Sequence, residues 1–179
     1  YQGTFEDYPS LADFFVRPLD PACRPLDPDP DHFVSPADGI LADLQAIDRN
    51  SATQVKGWKY NVSELTGADE HWEKGWWLAV VYLSPFNYHR FHYPLDGTLI
   101  SLQHLGNRLF PVNRAGVTHI KNLFVRNERV NAVFSSHGHK FHVTAVGATF
   151  VGSIKMKDHP ASFVPGRCTM KNLVVEQNR

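Results

Sequence analysis

The chain has 179 residues, of which 42% are hydrophobic and 20% charged, and its eighteen basic residues balance eighteen acidic ones. This is the composition of an ordinary globular protein, long enough to bury about 70% of its unfolded surface. The balanced charge implies no strongly basic surface, although local basic patches are compatible with it, so nucleic acid is not an expected partner. The longest apolar run, residues 76–83, is about half as long as a membrane-spanning helix requires.

The two cysteines, Cys23 and Cys168, are far apart in the sequence. They can form at most one disulfide, and their spacing excludes a zinc ribbon or a redox dithiol. The sequence opens without Met and without a signal-peptide pattern. Upstream residues, with any membrane attachment that they carry, are therefore expected to lie outside it.

The N-terminal part of the chain predicts a short helix and an extended arm. Pro and Ser begin a helical pattern over residues 9–15. Six prolines then occur between residues 18 and 36, a density that excludes regular structure. We expect residues 1–32 to form this helix and a Pro-rich extended arm.

From residue 33 onward the pattern predicts β-strands. Residues 40–47 follow a Pro-Ala-Asp-Gly turn, and residues 76–83 are apolar throughout, which favours a strand buried on both faces. Alternating apolar residues over 129–154, with a turn at Gly138, predict a hairpin. Only residues 62–65 and the N-terminal piece have a helical pattern. The predicted class is mainly β with a few short helices: one domain over residues 1–179, with a sandwich or barrel-like core over residues 33–179.

Two histidines, His89 and His92, follow the apolar run in the segment SPFNYHRFHYP. A loop that leaves the end of a strand is a common place for reactive groups. In an extended segment the two rings would point to opposite faces, and in a helical turn they would share one. The alternative is that both are half-buried packing residues among aromatic side chains.

A second candidate is FVSPADG at residues 33–39. By itself it predicts a turn in which Asp38 bonds its own backbone and Gly39 supplies a positive φ. Paired with a histidine, Asp38 could instead fix the tautomer of an imidazole and stabilise its charged form.

A third candidate is HGHKFH at residues 137–142. His137 and His139 would share one face of a strand, as in many β-barrel metal sites, but His142 would lie on the other face. A solvated hairpin tip is favoured, and no metal is expected. The Gly-rich stretch 147–153 lacks the Lys-Ser/Thr of a phosphate loop, so a nucleotide site is rejected.

Taken together, these motifs resemble the phosphatidylserine decarboxylase family. FVSPADG at 33–39 and YLSPFNYHRFH at 82–92 carry the resemblance, and further matches cover nearly the whole chain in order. They are DFFVRPL at 13–19 with RPLD at 24–27, LFPVN at 109–113, NERV at 127–130, and VGATFVGSI at 146–154.

The resemblance implies a pyruvoyl-dependent enzyme that is made as a self-cleaving proenzyme. Its members cut themselves before a serine in a Leu-Gly-Ser-Thr type motif. That serine becomes the pyruvoyl group of a short α chain, to which the longer β chain stays bound. This sequence contains no Leu-Gly-Ser motif, so it is expected to be the β chain. The implied reaction converts phosphatidylserine to phosphatidylethanolamine.

The resemblance also implies roles for three residues. Asp38 and His92 match the family's self-cleavage residues, and His89 matches the histidine assigned to decarboxylation. Serine is a weak nucleophile that needs a base, and a base needs an orienting partner. A histidine near its neutral pKa suits delivery of a proton to the former α-carbon. Asn87 stands where the family more often has an acidic residue.

A substrate or cofactor pocket is predicted at four residues: Tyr82, Phe110, Pro111 and Asn113. The implied partners are the α chain, the phospholipid and the membrane surface, with a homodimer of αβ units as a further expectation. We expect peripheral association with the cytoplasmic face of a bacterial inner membrane, through a surface near Trp76, Trp77 and the His89 loop or through upstream residues.

Three alternatives stay open. The chain could be a non-catalytic lipid-binding relative that lacks the cofactor. It could be a metal-dependent β-barrel enzyme that uses His137, His139 and either His89 or His92. It could also perform the same chemistry on a different amine.

Overall fold

The computed structural model describes most of the chain in detail, with the following ranges: 3–47, 52–55, 58–68, 70, 72, 75–156 and 173–175. By contacts the chain divides into two compact units. The first comprises Tyr1–Gln45, Trp77–Asp96 and Gln177–Arg179, and the second comprises Ala46–Trp76 and Gly97–Glu176. That residues 1–179 form one domain, with a β core from residue 33, stays a prediction.

Strands predominate among the regular elements. The strands are β1 (Ile40–Ile47), β2 (Ala52–Val55), β3 (Trp58–Asn61), β4 (Trp76–Tyr82), β5 (Gly97–Leu105), β6 (Arg129–Ser136), β7 (His139–Val146) and β8 (Leu173–Val175). The helices are α1 (Leu11–Phe15), α2 (Val62–Thr66), α3 (Arg114–His119) and α4 (Leu123–Arg126). The predicted class, mainly β with a few short helices, is confirmed.

The N-terminal region follows its prediction closely. The Ser10 hydroxyl caps α1 by accepting a hydrogen bond from the Asp13 N–H at 3.1 Å. Between residues 18 and 36 the chain forms one short 3₁₀ turn, Pro21–Cys23, and no other helix or strand. The prolines thus prevent longer regular structure, as expected. Cys23 is an exposed free thiol, and Cys168 lies outside the described residues.

Strands β1 and β4 pair in a two-stranded sheet. The strand predicted over residues 40–47 is confirmed at both ends. The strand predicted over 76–83 is also present, but its burial on both faces is wrong, because Trp77 is 66% exposed and Ala79 is exposed. The exposed residues Trp77 and Ala79 alternate with partly buried ones along β4, so one face of this strand is open to solvent.

The second unit contains an antiparallel sheet in the order β7-β6-β5-β8. The hairpin predicted from residue 129 is confirmed. Its turn, His137–Gly138, has φ values of 48° and 80°, and positive φ at both central residues is what a type I′ hairpin turn requires. Phe134 and Phe141 face each other across the hairpin with their rings stacked at 5.0 Å. The described sheet is open, so a closed barrel is not formed by these strands.

Helix α2 confirms the helical pattern at residues 62–65. The prediction that no further helix follows is wrong, since α3 and α4 are present. Both are short, and α3 is capped by Asn113, whose Oδ1 accepts from the Gly116 N–H at 2.9 Å. A helix of this length is too short to show a helical periodicity of apolar residues, so its asparagine cap alone did not reveal it in the sequence.

Candidate active site

The site lies in the first unit and begins where β4 ends. A turn over residues 84–87 closes when the Asn87 N–H donates to the Ser84 carbonyl at 2.9 Å. The Asn87 Oδ1 accepts from both the N–H and the hydroxyl of Ser84, at 2.7 and 2.8 Å. These bonds use only the oxygen of the amide, which a carboxylate would also supply. Asn87 therefore makes the same bonds that an acidic side chain at this position would make.

His89 is oriented by this turn and by α1. Its Nδ1 lies 2.9 Å from the Asn87 carbonyl. A carbonyl only accepts, so Nδ1 carries the proton and Nε2 is the nitrogen left for chemistry. The ring packs on Phe15 with centroids 3.9 Å apart. Partial burial lowers the pKa of His89, the hydrogen bond to the Asn87 carbonyl opposes this, and the charge of Arg17 lowers the pKa further.

The two motifs that flank the site are joined by backbone hydrogen bonds. The His92 N–H donates to the Pro36 carbonyl at 2.7 Å, and the Val34 N–H donates to the Pro94 carbonyl at 2.9 Å. Residues 33–39 and 89–94 are thus held side by side within the first unit. This arrangement brings His92 within reach of the charge of Asp38.

Asp38 and Gly39 lie at the start of β1. Asp38 is partly buried and accepts hydrogen bonds from Arg24, not from its own backbone. Gly39 does not have a positive φ. A Cβ at this position would lie only 2.5 Å from the Tyr82 carbonyl oxygen, so glycine is required by close packing against the end of β4. The isolated-turn interpretation of this motif was wrong on both points.

His92 is held by Tyr88. The two rings stack at 5.6 Å with an interplanar angle of 16°, and Nε2 lies 3.1 Å from the Tyr88 hydroxyl. Partial burial lowers the pKa of His92, while the charge of Asp38 raises it and that of Arg90 lowers it. Among the described residues no hydrogen bond joins Asp38 to His92, so their coupling is electrostatic.

The four predicted pocket residues fall in both units. Tyr82 ends β4 in the first unit, and the other three lie in the second: Phe110, Pro111 and Asn113. Phe110 is half-buried with the Arg126 guanidinium 4.6 Å above its ring. Asn113 is exposed and caps α3. A pocket formed by all four stays a prediction.

The three histidines of the hairpin differ in their exposure. His137 and His139 are exposed at the β6–β7 turn, and His142 is buried against Trp72 and Trp76. Within the described ranges no group of three or more His, Cys, Asp or Glu side chains is placed to hold a metal ion.

Three residues at the site were not predicted from the sequence: Arg24, Tyr88 and Arg90. Arg24 holds Asp38, Tyr88 holds His92, and the Arg90 Nε donates to the Val16 carbonyl at 2.5 Å. Tyr88 and Arg90 lie inside the quoted histidine segment, and Arg24 begins RPLD, so their positions were visible. Their contacts depend on the fold and left no signal in the pattern.

These features are suited to acid–base chemistry: two half-desolvated imidazoles lie on one loop, with a carboxylate held near one of them. Comparison with known proteins extends this description. The profile of the family described as phosphatidylserine decarboxylase matches residues 11–172. This match covers most of the chain, so the chain belongs to the phosphatidylserine decarboxylase family.

Individual relatives agree. A phosphatidylserine decarboxylase proenzyme of Alkalilimnicola ehrlichii is 42% identical over 151 residues, which are 83% of this chain and 52% of that protein. Proenzymes of the same name from Brevibacillus brevis and Nitrosococcus oceani are also 42% identical, each over 84% of this chain and over 55% and 50% of their own lengths. The chain spans about half the length of the curated relatives it matches.

Proposed function

We propose that this chain supplies the acid–base residues of a pyruvoyl-dependent decarboxylase that converts phosphatidylserine to phosphatidylethanolamine. The observation that carries the proposal is the pair His89 and His92, which share one loop but have different partners. His89 is fixed by a backbone carbonyl through Nδ1. His92 lies by Tyr88 and is influenced by the charge of Asp38. Different surroundings suit the two rings to different proton transfers.

The first proton transfer belongs to self-cleavage. A serine hydroxyl must lose its proton to become a nucleophile, and His92 is the proposed base. Partial burial lowers the pKa of His92, so the neutral form that a base requires predominates at neutral pH. Asp38 opposes this lowering, because its negative charge stabilises the imidazolium that forms when the proton arrives.

The second proton transfer belongs to decarboxylation. A pyruvoyl group, when bound, supplies a carbonyl that accepts the electrons left by the departing carbon dioxide. His89 fits such a group, because Nδ1 is engaged by Asn87 and no hydrogen bond occupies its Nε2 within the described residues. We assign to Nε2 the proton that is delivered to the former α-carbon. The lowered pKa of His89 makes its protonated form a stronger acid, and the same tautomer is restored after the transfer.

A short α chain that carries the pyruvoyl group, and a dimer of αβ units, are the proposed protein partners. The match to this chain covers only 52% and 55% of two proenzyme relatives, which supports a further segment. Peripheral binding to a membrane, on its cytoplasmic face, is proposed because the substrate is a bilayer lipid. Two exposed aromatic residues of the first unit support it, Phe86 at 91% and Trp77 at 66% exposure. No described helix combines the length and apolar character needed to cross a bilayer.

The proposal is tested on purified full-length protein. Intact-mass measurement should detect this chain together with a smaller chain whose blocked N-terminus reacts with carbonyl reagents. Phosphatidylserine in mixed micelles should yield phosphatidylethanolamine, and borohydride treatment should abolish the reaction. Turnover of a soluble amino acid but not of phosphatidylserine would favour the alternative amine. Stoichiometric zinc, iron or manganese in the active protein would favour the metal-dependent alternative.

A further inference from the structure

The His89 imidazole is fixed at two places within the first unit. Its Nδ1 lies 2.9 Å from the Asn87 carbonyl. One face of the ring lies against Phe15, with centroids 3.9 Å apart and an interplanar angle of 34°. The hydrogen bond alone fixes one atom, and the broad χ2 torsion of a histidine would still let the ring tilt. Contact with the flat face of Phe15 restricts this tilt.

A second contact joins α1 to the histidine loop next to the first one. The Arg90 Nε donates to the Val16 carbonyl at 2.5 Å. Phe15 is the last residue of α1 and Val16 is its C-terminal cap, while His89 and Arg90 are neighbours on the loop. Two adjacent contacts, one between rings and one a hydrogen bond, therefore fix the end of the helix against the loop.

The helix that carries Phe15 is stabilised by its other aromatic residue. The Phe14 ring packs edge-on against Phe5 and Tyr8, with centroids 5.0 and 5.4 Å away. The Arg17 guanidinium lies 4.6 Å from the centroid of the same ring, and its Nη1 donates to the Phe14 carbonyl at 3.2 Å. A helix of five residues is too short to be stable by itself, so these contacts help to keep Phe15 in place.

We propose that Phe15 is a positioning residue for decarboxylation, which holds the His89 ring in the orientation from which Nε2 delivers its proton. This inference rests on the proposed function of His89. Phe15 acts through His89 alone, because a phenyl ring has no proton to exchange. His92 has a different aromatic partner, Tyr88, so self-cleavage should not depend on Phe15. Misplacement of a reacting group by about 1 Å can cost about 10²-fold in rate.

The test compares Phe15→Ala with Leu11→Ala in the full-length protein. Leu11 is the matched control, since it is an apolar residue of the same helix but is 71% exposed. We expect Phe15→Ala to cleave itself at the parental rate and to keep the parental KM for phosphatidylserine in mixed micelles. Its kcat should fall at least about tenfold, whereas Leu11→Ala should keep the parental kcat.

Conservative variants separate orientation from loss of packing. Phe15→Tyr keeps the flat ring and should restore most of kcat. Phe15→Leu keeps an apolar side chain of similar size without a flat ring, so it should fold and cleave itself but remain slow in decarboxylation. Parental kcat in Phe15→Leu would show that the ring face is not required.

The pH dependence of kcat gives a readout that a purely structural role would not change. Burial lowers the pKa of His89, and Phe15 covers one face of its ring. The charged residues that flank the contact, Arg17 and Arg90, are the same in all these variants. Removing the phenyl ring should therefore raise the pKa of His89. Because a general acid must be protonated, the basic limb of the profile should move to higher pH in Phe15→Ala and stay unchanged in Leu11→Ala.

NMR of the protein with ¹⁵N-labelled histidine distinguishes failure of this inference from failure of the proposed function. His89 of the parent should carry its proton on Nδ1, and Phe15→Ala should mix the two tautomers. A parental kcat or an unshifted basic limb in Phe15→Ala would overturn the inference, as would an equal loss of kcat in Leu11→Ala. If the parent does not decarboxylate phosphatidylserine, the proposed function fails. The tautomers then decide whether Phe15 orients His89, and a parental tautomer in Phe15→Ala would refute that as well.

Discussion

Arg24 donates two hydrogen bonds to a single carboxylate oxygen of Asp38, from Nε at 2.8 Å and from Nη2 at 2.5 Å. Arg24 lies in the Pro-rich arm, and Asp38 lies at the start of β1. The pair is solvent-accessible, with side-chain exposures of 59% and 29%. Exposed ion pairs contribute little to stability. The contact is therefore better explained by the fixed direction that it gives to the carboxylate beside His92.

The first prediction concerns this ion pair. Arg24→Ala in the full-length protein should slow self-cleavage, because a carboxylate that is free to rotate stabilises the His92 cation less well. Tm should stay close to that of the parent. Arg24→Lys should restore cleavage only in part, since an ammonium does not reproduce the two directed bonds of a guanidinium. A denaturing gel over time measures cleavage, and a parental rate in Arg24→Ala would contradict this role.

The second prediction concerns the pH dependence of self-cleavage. His92 must be neutral to act as a base, so the cleavage rate should fall as pH decreases through its pKa. Arg90 lowers that pKa and Asp38 raises it. Arg90→Gln should therefore raise the pKa of His92 and move the acidic limb of the pH–rate profile to higher pH. Asp38→Asn should lower this pKa, so the acidic limb measured on whatever cleavage activity this variant retains should move to lower pH. Shifts in the opposite directions would exclude His92 as the titrating group.

The third prediction concerns close packing at Gly39. In Gly39→Ala the added Cβ would meet the Tyr82 carbonyl oxygen at 2.5 Å and a Val81 methyl group at 2.8 Å. Such overpacking typically costs about 1–3 kcal/mol, and self-cleavage should slow because Asp38 is displaced. Gly138→Asn is the control, since that position is open and has a φ of 80°, which asparagine tolerates. Denaturant unfolding should show a loss only for Gly39→Ala.

The fourth prediction concerns His142, whose ring is 5.0 Å from that of Trp72 and 5.6 Å from that of Trp76. Burial lowers the pKa of His142, opposed in part by Glu70. The unfolded chain, in which histidine titrates near pH ~6.5, thus takes up the proton more readily than the folded protein. Stability from this group is present above that pH and is lost as the pH falls below it.

We therefore expect Tm to decrease on acidification from about pH 7.5 to about pH 5.5, and to decrease less in His142→Phe. Thermal unfolding followed by circular dichroism measures both. The exposed His139 provides the control, and His139→Gln should lose as much Tm as the parent. An undiminished loss in His142→Phe would assign the pH dependence to other groups.

Local signals in the sequence predicted the elements that form locally. Ser10 before α1 and His137–Gly138 between β6 and β7 determine short-range geometry, so both elements were predictable. The exposure of Trp77 was not, because burial of an apolar strand depends on which other strands cover it. Arg24 and Asp38 are fourteen positions apart in the sequence, and the chain between them is mostly irregular. Hydrophobic periodicity therefore could not predict their contact. The pairing of Asp38 with His92 was implied by the family resemblance. The hydrogen bond between Tyr88 and His92 was not predicted and became evident only in the structure.

The central claim is that His92 acts in self-cleavage and His89 in decarboxylation, and it is tested most directly by replacing each histidine separately. His89→Ala and His92→Ala are prepared in the full-length protein, and each is followed by a denaturing gel for cleavage and by product analysis with phosphatidylserine. His92→Ala should remain one uncut polypeptide, as should Asp38→Ala. His89→Ala should cleave normally but lose about 10²–10⁴-fold in turnover, as expected for a missing general acid. Normal cleavage in His92→Ala together with blocked cleavage in His89→Ala would reverse the roles, and parental behaviour in both variants would place the site elsewhere.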